Sequence, residues 1–323
     1  NHLLWKETHK FKMNGVSPIT SLGRIRTTYE LVSGGEQMIH SENEIKEKHD
    51  KNIFLISGHA KPDCVITIWD MKRQCFVKQL TGHTDDVTSI SSLQDGHTII
   101  SGSMAGTTHI FSITKKKPIK SFQSLVNSPV NVIYTFNDLA KFAIGYDNGE
   151  VTICSILYEI HPIEKMAICA SADPVGTLKA KSPVLCINES HTNPNTIITG
   201  HEDKIVRIWD SASQQIMKEL SSNLTPVIST LVIENPFSFN LEENYHIISC
   251  GENQDDIYFN LPKHNKQFQL RFEMGIDLRG TKGRNPKVQL YREKKEESEQ
   301  GINFATFING ADNSRQIALI TIR

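Results

Sequence analysis

A twelve-residue frame recurs along this chain. It spans Ser101 to Ser112, Ile144 to Ser155, Thr199 to Asp210 and Ser249 to Asn260, and a fifth copy, Ser57 to Asp70, carries two extra residues at its turn. Each copy opens on small residues around a Gly, passes through a polar turn, alternates, reaches an aromatic residue or Cys, and stops on a polar residue. Trp69-Asp70 and Trp209-Asp210 close two of them. A unit this short cannot bury its own apolar face. It must stack on its neighbours, so repetition constrains the architecture before any local propensity does. The copies share no recurring acid, base or metal-ligand set, which points to a binding surface rather than a catalyst.

Each frame reads as strand, tight turn, strand. Ile99-Ile100-Ser101 and Ile197-Ile198-Thr199 have the β-branched residues of a half-buried strand. Glu202-Asp203-Lys204, Asp147-Asn148-Gly149 and Ala105-Gly106 supply turns, because Asn, Asp and Gly tolerate positive φ or bond their own backbone. Upstream lies a second repeated element: Ser17-Pro18-Ile19, Asp85-Asp86-Val87, Ser128-Pro129-Val130, Ser182-Pro183-Val184 and Thr225-Pro226-Val227, with Gly301-Ile302 as a weaker sixth copy. Proline at a strand's first position removes a donor the ladder does not need. Downstream, Cys75 to Leu80 and Gln215 to Leu220 read as a further strand, making four per unit. Val87 to Val130 and Val184 to Val227 are each 43 residues apart.

That period, with Thr81-Gly82-His83 before a first strand, Ser-Gly on the second and Trp-Asp ending the third, resembles the WD40 family of β-propellers. The likeness runs over nearly the whole chain. Its motifs are strong in the units ending at Asp70 and Asp210 and degenerate elsewhere. Ala105 replaces the turn Asp, Phe111 replaces Trp, and Gly-His stands in its expected place only at Gly82-His83. The family's buried His–Ser–Asp–Trp network is therefore expected to be incomplete in every unit. Ser190 to Asp203 also resembles one blade of the striatin family of phosphatase-associated scaffolds, a likeness confined to that blade.

The resemblance implies an all-β, closed propeller occupying residues 1–323 as a single domain. Seven blades are favoured on family habit, with six blades plus insertions as the alternative. Ile19 to Val87 and Val227 to Ile302 are longer than one period, which places insertions near 24–52 and 274–300. Leu31 to Ile39 is the candidate stub of a seventh blade. Leu3 to Lys6 and His9 to Met13 look like the last two strands of a unit, and Ile302 to Arg323 like the first two, so the N-terminal strands are expected to complete the last blade. Such closure removes exposed sheet edges. Asn1 in place of Met reads as the start of a piece of a longer protein.

Composition narrows function by exclusion. The 323 residues carry a formal net charge of −1, which gives no global case for nucleic acid or an anionic membrane as partner. Six cysteines lie far apart without Cys-x-x-Cys spacing and read as reduced thiols of the cytoplasm, or of the nucleus. No apolar run is long enough to span a bilayer. Motifs for a nucleophile, a zinc protease, a kinase or a dinucleotide fold are absent, so no enzyme activity and no cofactor are expected.

The expected role is a docking platform for other proteins or peptides within a larger assembly. The alternative is the regulatory or substrate-recognition part of a multidomain enzyme: a kinase, a ubiquitin ligase or a membrane-traffic protein. By family geometry the partner face comprises the turns between second and third strands and the loops entering each first strand. It offers His59, Lys61, Thr84, Asp86, Tyr146, His201 and Gln254. His201-Glu202-Asp203 lacks the second His one helical turn away that a metal helix needs, and reads as a turn. Arg279, Lys282, Arg284 and Lys287, with Gly280 and Gly283, form a candidate anion-binding loop without the ending of a P-loop. Lys115-Lys116-Lys117 reads as an exposed turn.

Overall fold

The computed structural model describes residues 17–27, 30–31, 38–39, 52–124, 126–138, 140–160, 167–190, 193, 195–221, 223, 225–234 and 245–251, and the strand backbones 257–261, 266–272, 288–291, 302–309 and 315–322. All regular structure among them is β. The first sheet contains β1 (Ile19–Thr27), β4 (Asn52–His59), β5 (Ile66–Asp70) and β6 (Cys75–Leu80), with β2 (Glu30–Leu31) and β3 (Met38–Ile39) paired to each other in its first connection. The second contains β7 (Val87–Ser92), β8 (Thr98–Ser103), β9 (Thr107–Ser112) and β10 (Lys120–Gln123). The third contains β11 (Val130–Thr135), β12 (Lys141–Tyr146), β13 (Glu150–Ile160) and β14 (Ala167–Lys179). The fourth contains β15 (Val184–Glu189), β16 (Thr196–His201), β17 (Val206–Asp210) and β18 (Gln215–Leu220). The fifth adds a strand: β19 (Val227–Glu234), β20 (Tyr245–Gly251), β21 (Ile257–Leu261), β22 (Lys266–Phe272) and β23 (Val288–Tyr291). A two-stranded sheet, β24 (Ile302–Asn309) and β25 (Arg315–Ile322), follows.

Strand order therefore repeats the predicted four-strand antiparallel unit. In the connection between β1 and β4, which pair directly, Glu30-Leu31 pairs with Met38-Ile39 at the candidate seventh-blade stub. The described residues form five sheets of four or five strands, this short hairpin and the two-stranded sheet of β24 and β25. Part of the second insertion returns as β23, which pairs with β22. The segments 1–13, Ser41 to Lys51 and Lys294 to Glu299 lie outside the described residues.

The apolar core forms between sheets, as the repeat demands. Phe54, Ile56 and Ile68 of the first sheet cluster with Val87, Ile99 and Phe111 of the second. Ile100 and Ile110 of the second join Val130, Phe142 and Ile144 of the third. Ile153 and Leu178 of the third join Val184, Ile197 and Trp209 of the fourth, and Ile198 and Ile208 of the fourth join Val227 and Ile247 of the fifth. Trp209 is thus buried against a neighbouring sheet, as the frame predicts. Burying each such side chain stabilises by roughly 1.5–3 kcal/mol.

Glycine on the second strand permits this approach. A Cβ on Gly145 would stand 2.8 Å from Val184 Cγ1, and one on Gly200 2.6 Å from Val227 Cγ1, each belonging to the next sheet. The first strands β1, β7, β11, β15 and β19 consequently run side by side. Thr20 Oγ1 donates to the Val87 carbonyl and Thr88 Oγ1 to the Val130 carbonyl, tying successive first strands together. No helix long and apolar enough to cross a membrane occurs among the described residues.

Candidate protein-docking face

Second strands end and third strands begin on one side of these sheets, and the residues before each first strand meet the turns there. Ala60 N–H donates to the Pro18 carbonyl (3.0 Å), Met104 N–H to Asp86 (2.9 Å), Asp147 N–H to Pro129 (3.0 Å) and Glu202 N–H to Pro183 (3.1 Å). The serine before each proline adds a side-chain clamp. Ser17 Oγ accepts from Asp63 N–H (3.1 Å) and donates to Asp63 Oδ2 (2.6 Å); Ser128 Oγ accepts from Asn148 N–H (2.9 Å) and Ser182 Oγ from Asp203 N–H (2.9 Å). The repeated Ser-Pro element thus fixes the turn of its own sheet.

Three predicted anchors are not on this surface. His59, His201 and Tyr146 are buried, so they hold the face rather than present it. The reason lies two residues earlier. In a strand, i and i+2 share a face, and Ser57 and Thr199 occupy that place. The Trp209 indole N–H donates to Thr199 Oγ1 (2.7 Å), Thr199 O–H lies 2.7 Å from His201 Nε2, and His201 Nδ1 lies 3.0 Å from the Ser182 carbonyl. An indole nitrogen only donates and a carbonyl only accepts. His201 must therefore carry its proton on Nδ1 and accept Thr199 O–H at Nε2. Trp69, Ser57 and His59 repeat the chain, at 2.9 Å for both links. These chains join Trp, Ser or Thr, and His, with the histidine taken from the end of the second strand, and no Asp takes part in them.

Burial pushes the His201 imidazole down to about 4 and lowers His59 as well. In the second sheet His83 plays the part from its family position, with Nε2 2.7 Å from Ser101 Oγ, and its ring packs on His109 with centroids 4.3 Å apart. Burial, then the neighbouring His109, pushes His83 to about 3.

Lys61 is joined to the loop that holds Thr84 and Asp86. Lys61 Nζ lies 2.9 Å from Asp85 Oδ1, and Lys61 N–H donates to Asp86 Oδ1 at 2.7 Å, so the first sheet's turn is stapled to the loop that enters the second. The hydrogen bond with Asp85 holds the Lys61 ammonium above its ordinary range, and the same bond holds Asp85 below the usual carboxylate range. Lys61 and Thr84 are exposed. Gln254 and the loop residues Arg279, Lys282, Arg284 and Lys287 lie outside the described residues.

Sequence reasoning missed Asp85, whose ion pair makes the staple, and Arg207. Arg207 is buried and donates from Nη2 to Asp203 Oδ2 (2.6 Å) and from Nε to Glu219 Oε1 (2.8 Å), which locks the fourth sheet's turn. An Arg four residues after a turn Asp was the available signal. Among the described residues no group of three His, Cys, Asp or Glu is placed to hold a metal ion.

The family model for the WD domain, G-beta repeat, matches residues 74–112 and 172–210, each span running from the outer strand of one sheet through the third strand of the next, to the end of a repeated frame. The chain carries WD40 repeats. Over 207 residues it is 23% identical to GATOR2 complex protein WDR24 of Danio rerio, a match covering 63% of this chain and 24% of that protein. It is 25% identical over 166 residues to the guanine nucleotide-binding protein subunit beta of Zea mays, covering 49% of this chain and 40% of that protein. A chain in a crystal structure of a mitotic checkpoint complex superposes with a TM-score of 0.49 at 16% identity, over 66% of this chain and 59% of that one. The WD40 chain described here spans about a quarter of the length of the WDR24 relatives it matches.

Proposed function

We propose that this chain is a non-catalytic docking platform, a propeller that holds other proteins within a larger cytoplasmic assembly. The observation that carries the reading is the stapled face. Buried His, Ser, Thr and Arg side chains are spent on fixing turns, while Lys61 and Thr84 stand exposed on them. Loops held rigid by a scaffold are where recognition concentrates, and pre-ordered loops lose little entropy on binding. WDR24, a relative over 63% of this chain, is named as a complex protein, which favours a subunit over a free-standing enzyme.

The test is the mass of the native assembly. Isolated gently from its own cells, the full-length protein should migrate as a complex heavier than its monomer. Thr84→Arg should release it to monomer while leaving its melting temperature within about 1 °C, since exposed turn changes shift stability by no more than about 0.5 kcal/mol. A native monomer, or turnover of a phosphoester, peptide or nucleotide that a point mutation in this chain abolishes, would overturn the reading.

A further inference from the structure

Exposed large apolar side chains of the described residues lie in strands, with two exceptions. Met104 (46% exposed) stands on the turn of the second sheet, and Val126 (63% exposed) on the loop that enters the third. Single exposed apolar residues are ordinary. The two segments that carry them are joined: Gln123 Nε2, at the end of β10, donates to the Ala105 carbonyl (3.0 Å), and Ser124 N–H, where the loop to the third sheet begins, to Gly106 (3.0 Å). Gly106 has a φ of +74° and packs against the backbone of Asn127 and Ser128, so a side chain there would part the two segments.

Carboxylates stand on both sides of this pair. Asp86 precedes it, with its carbonyl accepting from Met104 N–H. Asp147 follows it, on the turn clamped by Ser128 and within 3.3 Å of Asn131 Nδ2. Lys61, the cation placed beside Asp86, is engaged by Asp85. The order across the face is acid, apolar, apolar, acid.

We propose that this strip binds a partner's extended segment in which a large apolar side chain lies between two cationic ones, an inference that rests on the docking reading above. The apolar side chain covers Met104 and Val126, whose thioether and branched methyls adapt to varied shapes. The flanking lysines or arginines meet Asp86 and Asp147. Such charge matching sets specificity and on-rate more than raw affinity.

The test uses random dodecapeptides displayed on phage and panned against this chain. The enriched sequences should share one large apolar residue with Lys or Arg on both sides. A synthetic peptide of that consensus, followed by fluorescence anisotropy, should bind less tightly as salt rises. Its Kd should rise at least about tenfold with Met104→Asp or Val126→Asp, and several-fold with Asp86→Asn plus Asp147→Asn. Melting curves confirm that each variant is folded, and Met104→Leu should retain binding. Enrichment of acidic or uncharged peptides, no enrichment at all, or unchanged binding by the Met104 and Val126 variants would refute the strip. The native-assembly measurement is independent of it: a persisting heavy complex with failed panning removes this inference alone, whereas a native monomer removes the platform itself.

Discussion

A buried neutral histidine is a liability in acid. His201 titrates at about 4 in the folded chain against 6.5 for the free side chain, because burial disfavours its charged form. Below pH 6.5 the unfolded chain takes up a proton that the folded chain refuses. The neutral form's contribution to stability is present above 6.5 and lost as pH falls toward 4, on the order of 3 kcal/mol for this group. His83, at about 3, acts in the same direction and to lower pH. Denaturant midpoints should therefore fall between pH 6.5 and 4, and fall less steeply in His201→Gln. An equal slope in that variant would mean that His201 is charged in the folded protein. The same residues show what sequence could not reveal. A His at a strand's last residue is compatible with pointing out to a partner or in toward the core. Ser57 and Thr199, two residues earlier and hydrogen-bonded to the indole of a diagonal Trp on the third strand, decide it, and that signal reads only once the cross-strand register is known. The pairing of Lys61 with Asp85 was equally illegible, since it crosses between sheets.

Where the third strand stops in the first and fourth sheets, an Asp side chain bonds the turn that follows. Asp70 Oδ1 accepts from Lys72 N–H (2.8 Å) and Arg73 N–H (2.9 Å), and Asp210 Oδ1 accepts from Ala212 N–H (3.1 Å), so the chain folds back there. Ser155 occupies the corresponding place in the third sheet, and β13 and β14 run on to 11 and 13 residues. Leu157 and Ile160 continue β13 where the other sheets turn. Asp70→Ala should cost about 1–2 kcal/mol, the scale of a lost cap, read as a lowered denaturant midpoint at unchanged m. Asp70→Asn keeps an acceptor and should lose less than half as much; equal losses would assign the effect to charge instead. The elements themselves were legible because period-two alternation and Gly, Asp and Asn turns recur at one spacing. The β2–β3 hairpin was not, because a two-residue strand leaves no periodic trace.

At the scale of the molecule the repeat makes each sheet depend on the one before it. Val87, Val130, Val184 and Val227 are fully buried by the preceding sheet, whereas Ile19, at the same place in the first sheet, is 55% exposed. Leu22 is 62% exposed where Ile90 is 9% and Ile133 and Ile187 are 6%. At the other end of the array Ile228 and Leu231 are 49% and 55% exposed. An arc of stacked sheets with an apolar flank at each end calls for one more unit between them. We propose that the hairpin of β24 and β25 takes that place and closes the ring. The repeat spacing and the strand patterns of Leu3 to Lys6, His9 to Met13 and Ile302 to Arg323 made this arrangement an expectation.

Thiol labelling tests it most directly. Cys75 is an exposed native cysteine and serves as the internal standard. In the intact chain Leu22→Cys should react at least about tenfold more slowly than Cys75, as a thiol opened only by local unfolding does. Removing 302–323 should bring the two rates together. A Cys at position 22 that reacts as fast as Cys75 in the intact, folded chain would contradict the closed ring.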